Sequence, residues 1–268
     1  MDAVPYLFVD SVVHVLPIYS LPRLAIQSSH WGSIGKTHDK RRVDYRLKVL
    51  EKNGVTKCSV HNRNEEDVCL SLSDYQKTEN AYSRIVELSV DTRSRPFADG
   101  KDELEAVCNF LKRRPNLIIK YADISLDVGC AEKLLESILF PTQEIGVYSL
   151  STSISKHENF FRWHFENNEI LKKMLVSQEW KHAYELIKVW STCENARDLE
   201  LERWSTSYIK TVARVASDLR GLGLSVTGDK LNRSRIVVKN SKNDSVFLRF
   251  HFWIYEWRED NRERCLSW

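Results

Sequence analysis

Residues 104 to 147 decide the fold: Leu104-Glu105-Ala106-Val107-Cys108-Asn109-Phe110-Leu111-Lys112-Arg113-Arg114-Pro115-Asn116-Leu117-Ile118-Ile119, and then Ala131-Glu132-Lys133-Leu134-Leu135-Glu136-Ser137-Ile138-Leu139-Phe140-Pro141-Thr142-Gln143-Glu144-Ile145-Gly146-Val147. In the first stretch Leu104, Val107, Cys108 and Leu111 have helical spacing that stops before Pro115, and Leu117-Ile118-Ile119 reads as a strand. The second repeats the scheme: Ala131, Leu134, Leu135 and Ile138 form a helical stripe, Pro141 ends it, and Ile145 and Val147 begin the next strand. Pro115 and Pro141 are about 26 residues apart, within the range of leucine-rich-repeat-like units. Alternating helices and strands predict an α/β fold, with α+β as the alternative.

Working outward, Tyr45 to Leu50, the turn Asn53-Gly54 and Val55 to Val60 read as a β-hairpin, with Val68 to Leu72 and Ile85 to Val90 as further strands. Beyond the repeat, Ile170 to Leu175 is expected to be helical and Glu185 to Trp190 a strand. Tyr208, Val212, Val215 and Leu219 mark a longer helix stopped at Gly221. Ile236 to Val238 and Val246 to Ile254 form a second hairpin. In its last strand Val246, Leu248, Phe250, Phe252 and Ile254 share the core face, and Phe247, Arg249, His251, Trp253, Tyr255 and Trp257 the other. Arg249, His251, Trp253, Tyr255 and Trp257 are the candidate target-binding strip, since aromatic and cationic residues are enriched at interfaces. Cover by a helix explains the same pattern.

The N-terminus has a different pattern. From Pro5 to Leu16, Phe8, Val9, Val12, Val13, Val15 and Leu16 fall on one arc of roughly 160° at about 100° per residue. Pro17 stops this amphipathic helix. Ser20 is the N-cap of a second one that tolerates Pro22 in its first turn and carries Leu21, Leu24 and Ala25; a third short stretch surrounds Trp31 and Ile34. So small a helical set exposes apolar surface that must pack on a partner or on the following domain.

The segment resembles the F-box. Val4-Pro5 stands for the family's opening Leu-Pro, Leu16-Pro17-Ile18-Tyr19-Ser20-Leu21 for Leu-Pro-x-x-Asp-Leu, Leu24 for the next leucine, and Gln27-Ser28-Ser29-His30-Trp31 with Ile34 for the closing Val-Cys/Ser-x-x-Trp-x-x-Leu. The spacing needs no gap; Ser20, Gln27 and Val4 depart from the usual residues. With its α/β remainder the chain is similar to the large nematode family of F-box-like proteins. The resemblance implies that residues 1–42 dock the Skp adaptor of a cullin-based (SCF-type) ubiquitin ligase through Pro5, Phe8, Val12, Leu16, Pro17, Leu21, Leu24, Trp31 and Ile34. It implies that residues 43–268 capture a protein substrate, and that the role is non-catalytic. Periodicity alone favours a small helical cap whose apolar residues and Trp31 are ordinary core; the joint spacing of the two prolines, the Leu-Pro-x-x-x-Leu element and Trp31 is what core packing does not demand. The alternatives are therefore an intracellular interaction or scaffold protein with a degenerate F-box, a DNA-binding helix-turn-helix at residues 5 to 42, and an enzyme with an unrecognised site.

Composition and motifs bear on these classes. The 268 residues carry 40 Lys+Arg and 37 Asp+Glu, a net charge of +3, which gives nucleic-acid binding little drive. Lys40-Arg41-Arg42 and Lys112-Arg113-Arg114 read as solvated helix ends. The apolar share of 42% supports a real core. Nine glycines are roughly half the usual share of about 7%. Gly35-Lys36-Thr37 lacks the earlier glycine of a P-loop, and Gly221-Leu222-Gly223 lacks the third glycine of a dinucleotide fingerprint. The six cysteines include no C-x-x-C pair, and the histidines no H-E-x-x-H, so neither metal nor other cofactor is expected. His157 and His164 are read as satisfied or exposed imidazoles, and Asp198, Glu200 and Glu202, alternating with leucines, as a solvated face. Asp2, Asp10, Pro5 and Pro17 argue against a signal peptide or membrane span. The expected setting is cytoplasmic or nuclear, with free thiols. Every tryptophan except Trp31 lies at or beyond Trp163, in the expected capture domain.

Overall fold

A computed structural model describes residues 4–16, 18–27, 30–52, 54–65, 68–91, 102–114, 117–149, 152–177, 180–204, 212–228, 235–243 and 245–252. The chain is α/β. Among the described residues eleven strands form one sheet in the order β3-β2-β1-β4-β5-β6-β7-β8-β11-β10-β9. The strands are β1 (Val43–Lys52), β2 (Val55–Asn62), β3 (Cys69–Leu70), β4 (Ser83–Asp91), β5 (Ile119–Ser125), β6 (Thr142–Tyr148), β7 (Lys173–Ser177), β8 (Leu199–Trp204), β9 (Val226–Gly228), β10 (Arg235–Lys239) and β11 (Phe247–Phe252). The helices are α1 (Tyr6–Val15), α2 (Leu21–Ala25), α3 (His30–Arg41), α4 (Leu72–Thr78), α5 (Leu104–Lys112), α6 (Ala131–Leu135), α7 (Glu158–Asn167), α8 (Trp180–Thr192) and α9 (Val212–Gly221). Residues 1–48 with 58–88 form one compact unit, and 49–57 with 89–268 the other.

In the second unit β5, β6, β7, β8 and β11 are parallel neighbours. Tyr121 lies opposite Glu144, Glu144 opposite Lys173, and Lys173 opposite Glu200, so the chain advances one strand at a time in one direction. Right-handed crossovers in an unreversed sheet put α6, α7 and α8 on one face. That face is the core: Ala122, Ile124, Ile145, Val147, Met174, Val176, Leu199, Leu201, Leu248 and Phe250 are all buried. Trp180 of α8 meets Phe250 with ring centroids 5.6 Å apart. β9 and β10 close this end of the sheet antiparallel. The repeat expected around Pro115 and Pro141 thus belongs to a series of parallel strands with helices between them, although the strand-to-strand steps vary in length.

Buried polar groups in this layer satisfy one another. The imidazole of His164 donates from Nε2 to Ile138 O (3.2 Å) and accepts at Nδ1 from Asn168 Nδ2 (3.0 Å), a pattern that one neutral tautomer meets. Burial pushes its pKa down to about 3. Asn168 also accepts from Thr142 N and donates to Thr142 O, pairing with the start of β6 as a neighbouring strand would.

Several sequence expectations need correction. Glu185 to Trp190, expected as a strand, lies within α8, where His182, Ala183, Leu186, Ile187, Val189 and Trp190 form the buried side of a 13-residue helix. Ile170 to Leu175, expected as a helix, is a turn leading into β7, whose Met174 and Val176 are buried with period two. Of Val68 to Leu72 only Cys69 and Leu70 are in a strand, because Ser71 caps α4 by accepting from Asp74 N. The strand expected at Leu117 starts at Ile119 and runs on to Ser125. The third N-terminal stretch is a full 12-residue helix that contains Gly35-Lys36-Thr37, a placement incompatible with a P-loop. Gly54 and Gly223 both have φ +76°, as expected of a tight turn and a helix stop.

Candidate functional site

Two surfaces hold the residues singled out from the sequence. In the first unit, α1, α2 and α3 enclose a small core of Val9, Val13, Leu21 and Ile34, with Val4, Leu16, Leu24 and Trp31 packed around it. Close approach is possible because α3 presents glycine twice. A Cβ on Gly32 would overlap the Gln27 carbonyl, and one on Gly35 would press on the Leu24 side chain at 3.0 Å. Pro5 occupies the N-cap of α1, where its carbonyl accepts from Phe8 N (3.0 Å) and Val9 N (3.2 Å).

Of the nine residues implied for adaptor docking, Leu21 and Ile34 are buried in this core, and Val12, Leu16, Leu24 and Trp31 are half-buried. Trp31 Nε1 is buried with no acceptor. Pro5 and Phe8 are exposed, and Pro17 lies outside the described residues. The large apolar side chains left in water on this segment are Tyr6 (52%), Leu7 (78%), Phe8 (56%), Tyr19 (70%) and Ile26 (85%). Sequence reading missed four of these. The nine residues follow from the resemblance to the F-box, whose pattern marks Leu21, Leu24, Trp31 and Ile34, side chains that the segment wholly or partly buries for itself.

The same unit ties down the C-terminal end of α1. Arg42 Nη1 reaches Val13 O (3.5 Å), and Arg84 Nη1 donates to His14 O, so two cations face the negative end of the helix. Both guanidinium groups share Asp44: Arg42 Nε and Arg84 Nε each lie 3.1 Å from its Oδ1. Burial alone would raise the Asp44 carboxyl, but bonding to and charge from Arg42 and Arg84 outweigh it and hold the pKa below the ordinary range. Asp10 pairs with the buried His38 at 2.9 Å. His14, half-buried beside Arg84, His38 and Arg42, has its pKa lowered to about 4, chiefly by burial.

The second surface is the sheet face opposite the helices of the second unit. Tyr121, Asp123, Glu144, Gly146, Tyr148, Lys173, Leu175, Glu200, Glu202, Arg249 and His251 alternate with the core residues and share it by register. Gly146 is buried; the others are half-buried or exposed. Tyr121 OH donates to Asp123 Oδ1 (2.8 Å), and a Cβ on Gly146 would displace Asp123 and crowd Tyr121 OH (3.2 Å) and Tyr148 Cε2 (3.3 Å). The missing side chain therefore lets a tyrosine, a carboxylate and a second tyrosine close together. Burial, then the bond to Asp123, raises the Tyr121 pKa. Lys173 Nζ pairs with Glu202 at 2.8 Å, and Arg249 with Asp198 at 3.5 Å.

Of the candidate target-binding strip, Arg249 and His251 lie on this face opposite Glu200 and Glu202. Trp253, Tyr255 and Trp257 lie outside the described residues. The sequence signal for the rest of the face was the period-two pattern of β5 to β8, readable only once topology puts the helices on one side.

Chemistry elsewhere is sparse among the described residues. No group of three His, Cys, Asp or Glu is placed to hold a metal, no helix is long and apolar enough to cross a membrane, and no disulfide joins the described cysteines. The pocket bordered by His164, Asn168, Trp190 and Asp198 has its polar groups already bonded within the protein: Trp190 Nε1 donates to Arg197 O (3.1 Å), and Asp198 accepts from Phe247 N (2.9 Å). Compared with protein-family models, curated proteins and solved structures, the chain matches none.

Proposed function

We propose that the chain is a non-catalytic substrate-recognition adaptor of an SCF-type ubiquitin ligase, in which α1 to α3 dock the Skp adaptor and the α/β domain captures the protein to be modified. One observation carries this reading. Most of the large apolar side chains exposed among the described residues, Tyr6, Leu7, Phe8, Tyr19 and Ile26, fall on the segment that resembles the F-box. Each apolar side chain removed from water contributes about 1.5–3 kcal/mol before ordering costs, so a few suffice for a specific partner. Docking then runs through these exposed groups, while Leu21 and Ile34 hold the segment together from within.

A second reading has support of its own. The clamp of Arg42 and Arg84 on α1 and the Asp10–His38 pair anchor the helices to their own unit, as a degenerate F-box serving only as a cap requires. Co-purification with the Skp adaptor separates the two. Leu7→Asp/Phe8→Asp keeps the core of Leu21 and Ile34 intact, whereas charges placed at Leu21 itself would unfold the segment. The first reading expects wild type to retain the adaptor and the double variant to lose it at an unchanged melting temperature. A folded wild type that retains no adaptor leaves the cap reading.

A further inference from the structure

We infer that Cys69 is a reactive thiol, activated by His61, that forms mixed disulfides by exchange with low-molecular-weight disulfides. This goes beyond the ligase reading and does not depend on it. Cys69 and His61 are direct partners across the antiparallel pair of β2 and β3. Residues opposite one another in such a pair carry their side chains on the same face, and so do residues two apart along a strand. Ser59, His61 and Cys69 therefore stand together on one face, while Thr56, Cys58 and Val60 alternate with them along β2 and are buried. His61 Nε2 lies 2.9 Å from Ser59 Oγ and 3.7 Å from Cys69 Sγ. The ring nitrogen thus faces a hydroxyl and a thiol at once, both able to donate to it.

Exposure sets Cys69 apart. Cys58, Cys108, Cys130 and Cys193 are buried, as free cysteines used for packing are, whereas Cys69 is exposed on the strand that ends the sheet. At Cys130 and Cys193 burial pushes the thiol up to about 12, which withholds the thiolate. Cys69 has both access and a proton acceptor. Its Sγ passes the proton to His61 Nε2, and the thiolate, beside the imidazolium, attacks one sulfur of the small disulfide. A new S–S bond joins Cys69 to that half. The old S–S bond breaks, and the departing thiolate leaves with the electron pair and collects the proton from His61. Cys69 is oxidised and the departing half reduced, so protein thiol plus disulfide gives mixed disulfide plus free thiol. One sulfur and one imidazole fall short of a metal site, and among the described residues no third ligand joins them.

The test treats the full chain with dithiodipyridine, follows thiopyridone release by absorbance and maps the mixed disulfide by mass spectrometry. The comparator is a peptide with the sequence of residues 66–72, which contains the cysteine and no histidine. The expected result is modification of Cys69 at roughly ten times the peptide's rate at about pH 7, with the ratio shrinking as pH rises past the ordinary thiol pKa of about 8.5. His61→Gln, a near-isosteric exchange at a half-buried position, brings the rate down to the peptide's, and Cys69→Ser removes this modification. A Cys69 that reacts no faster than the peptide overturns the inference whatever the variants do. So does a His61→Gln chain that reacts as wild type, or labelling confined to other cysteines. Adaptor co-purification bears on the ligase reading alone.

Discussion

Tyr6, Leu7 and Phe8 on α1 leave apolar surface in water, while Glu144 and Glu200 on the sheet leave carboxylates there. The two regions reach these surfaces by opposite routes. The helical segment is too small to cover all its apolar side chains: it encloses Val9, Val13, Leu21 and Ile34 and leaves the remainder outside. The sheet has apolar residues enough for one face and spends its alternate positions on charge and tyrosine. Any partner that covered the first region would gain by desolvation, with little dependence on salt. Any partner that met the second would do so largely through charge, and that attraction would weaken as salt rises.

Acid should have the largest effect and strike both regions. His164 titrates at about 3 when folded and near 6.5 when unfolded, so the unfolded state binds its proton first. Its contribution is fully present above pH 6.5 and is lost as pH falls from there towards 3, on the order of 5 kcal/mol in all. His14, at about 4 in the folded chain, loses stability in the same direction over the upper part of that window. Chemical denaturation between pH 7 and 4 (an experimental range of about three units) checks this; stability that is flat or rising on acidification contradicts the neutral, satisfied His164.

Core truncation comes next and sharpens the distinction between what the helical segment encloses and what it exposes. Leu21→Ala or Ile34→Ala is expected to cost about 2–5 kcal/mol, read from urea midpoints, if the small core is as closed as its burial indicates. On the sheet, Gly146→Ala should cost roughly 1–3 kcal/mol by forcing Asp123 and Tyr121 aside, and tyrosine fluorescence should report the change. The smallest effect belongs to Leu7→Ala and Phe8→Ala, within about 0.5 kcal/mol of wild type, since both side chains are already in water. A large loss at Leu7 would erase the contrast between the segment's inner and outer residues.

Local pattern made much of this molecule legible. Pro5 to Leu16 read as a helix because its apolar residues keep helical spacing, and α5, α6 and their following strands were marked by Pro115 and Pro141. Glu185 to Trp190 failed because Leu186, Ile187, Val189 and Trp190 form a short apolar run that suits a buried strand and a buried helix alike. Only its extension back to Trp180 shows the helix. Ile170 to Leu175 failed for the converse reason: an apolar cluster at the end of a turn imitated one helical turn. The burial of the residues implied for adaptor docking was not legible, because sequence spacing shows which residues share a face and not whether that face is already covered. The sheet face turned away from the helices was hidden until the strand order showed that β5 to β8 advance in one direction.

Recovery of the Skp adaptor on the full-length chain, wild type beside Leu7→Asp/Phe8→Asp with equal melting temperatures, tests the central claim most directly. The account predicts stoichiometric adaptor with wild type and loss of most of it with the variant. Equal recovery with both chains, or none with either, contradicts it.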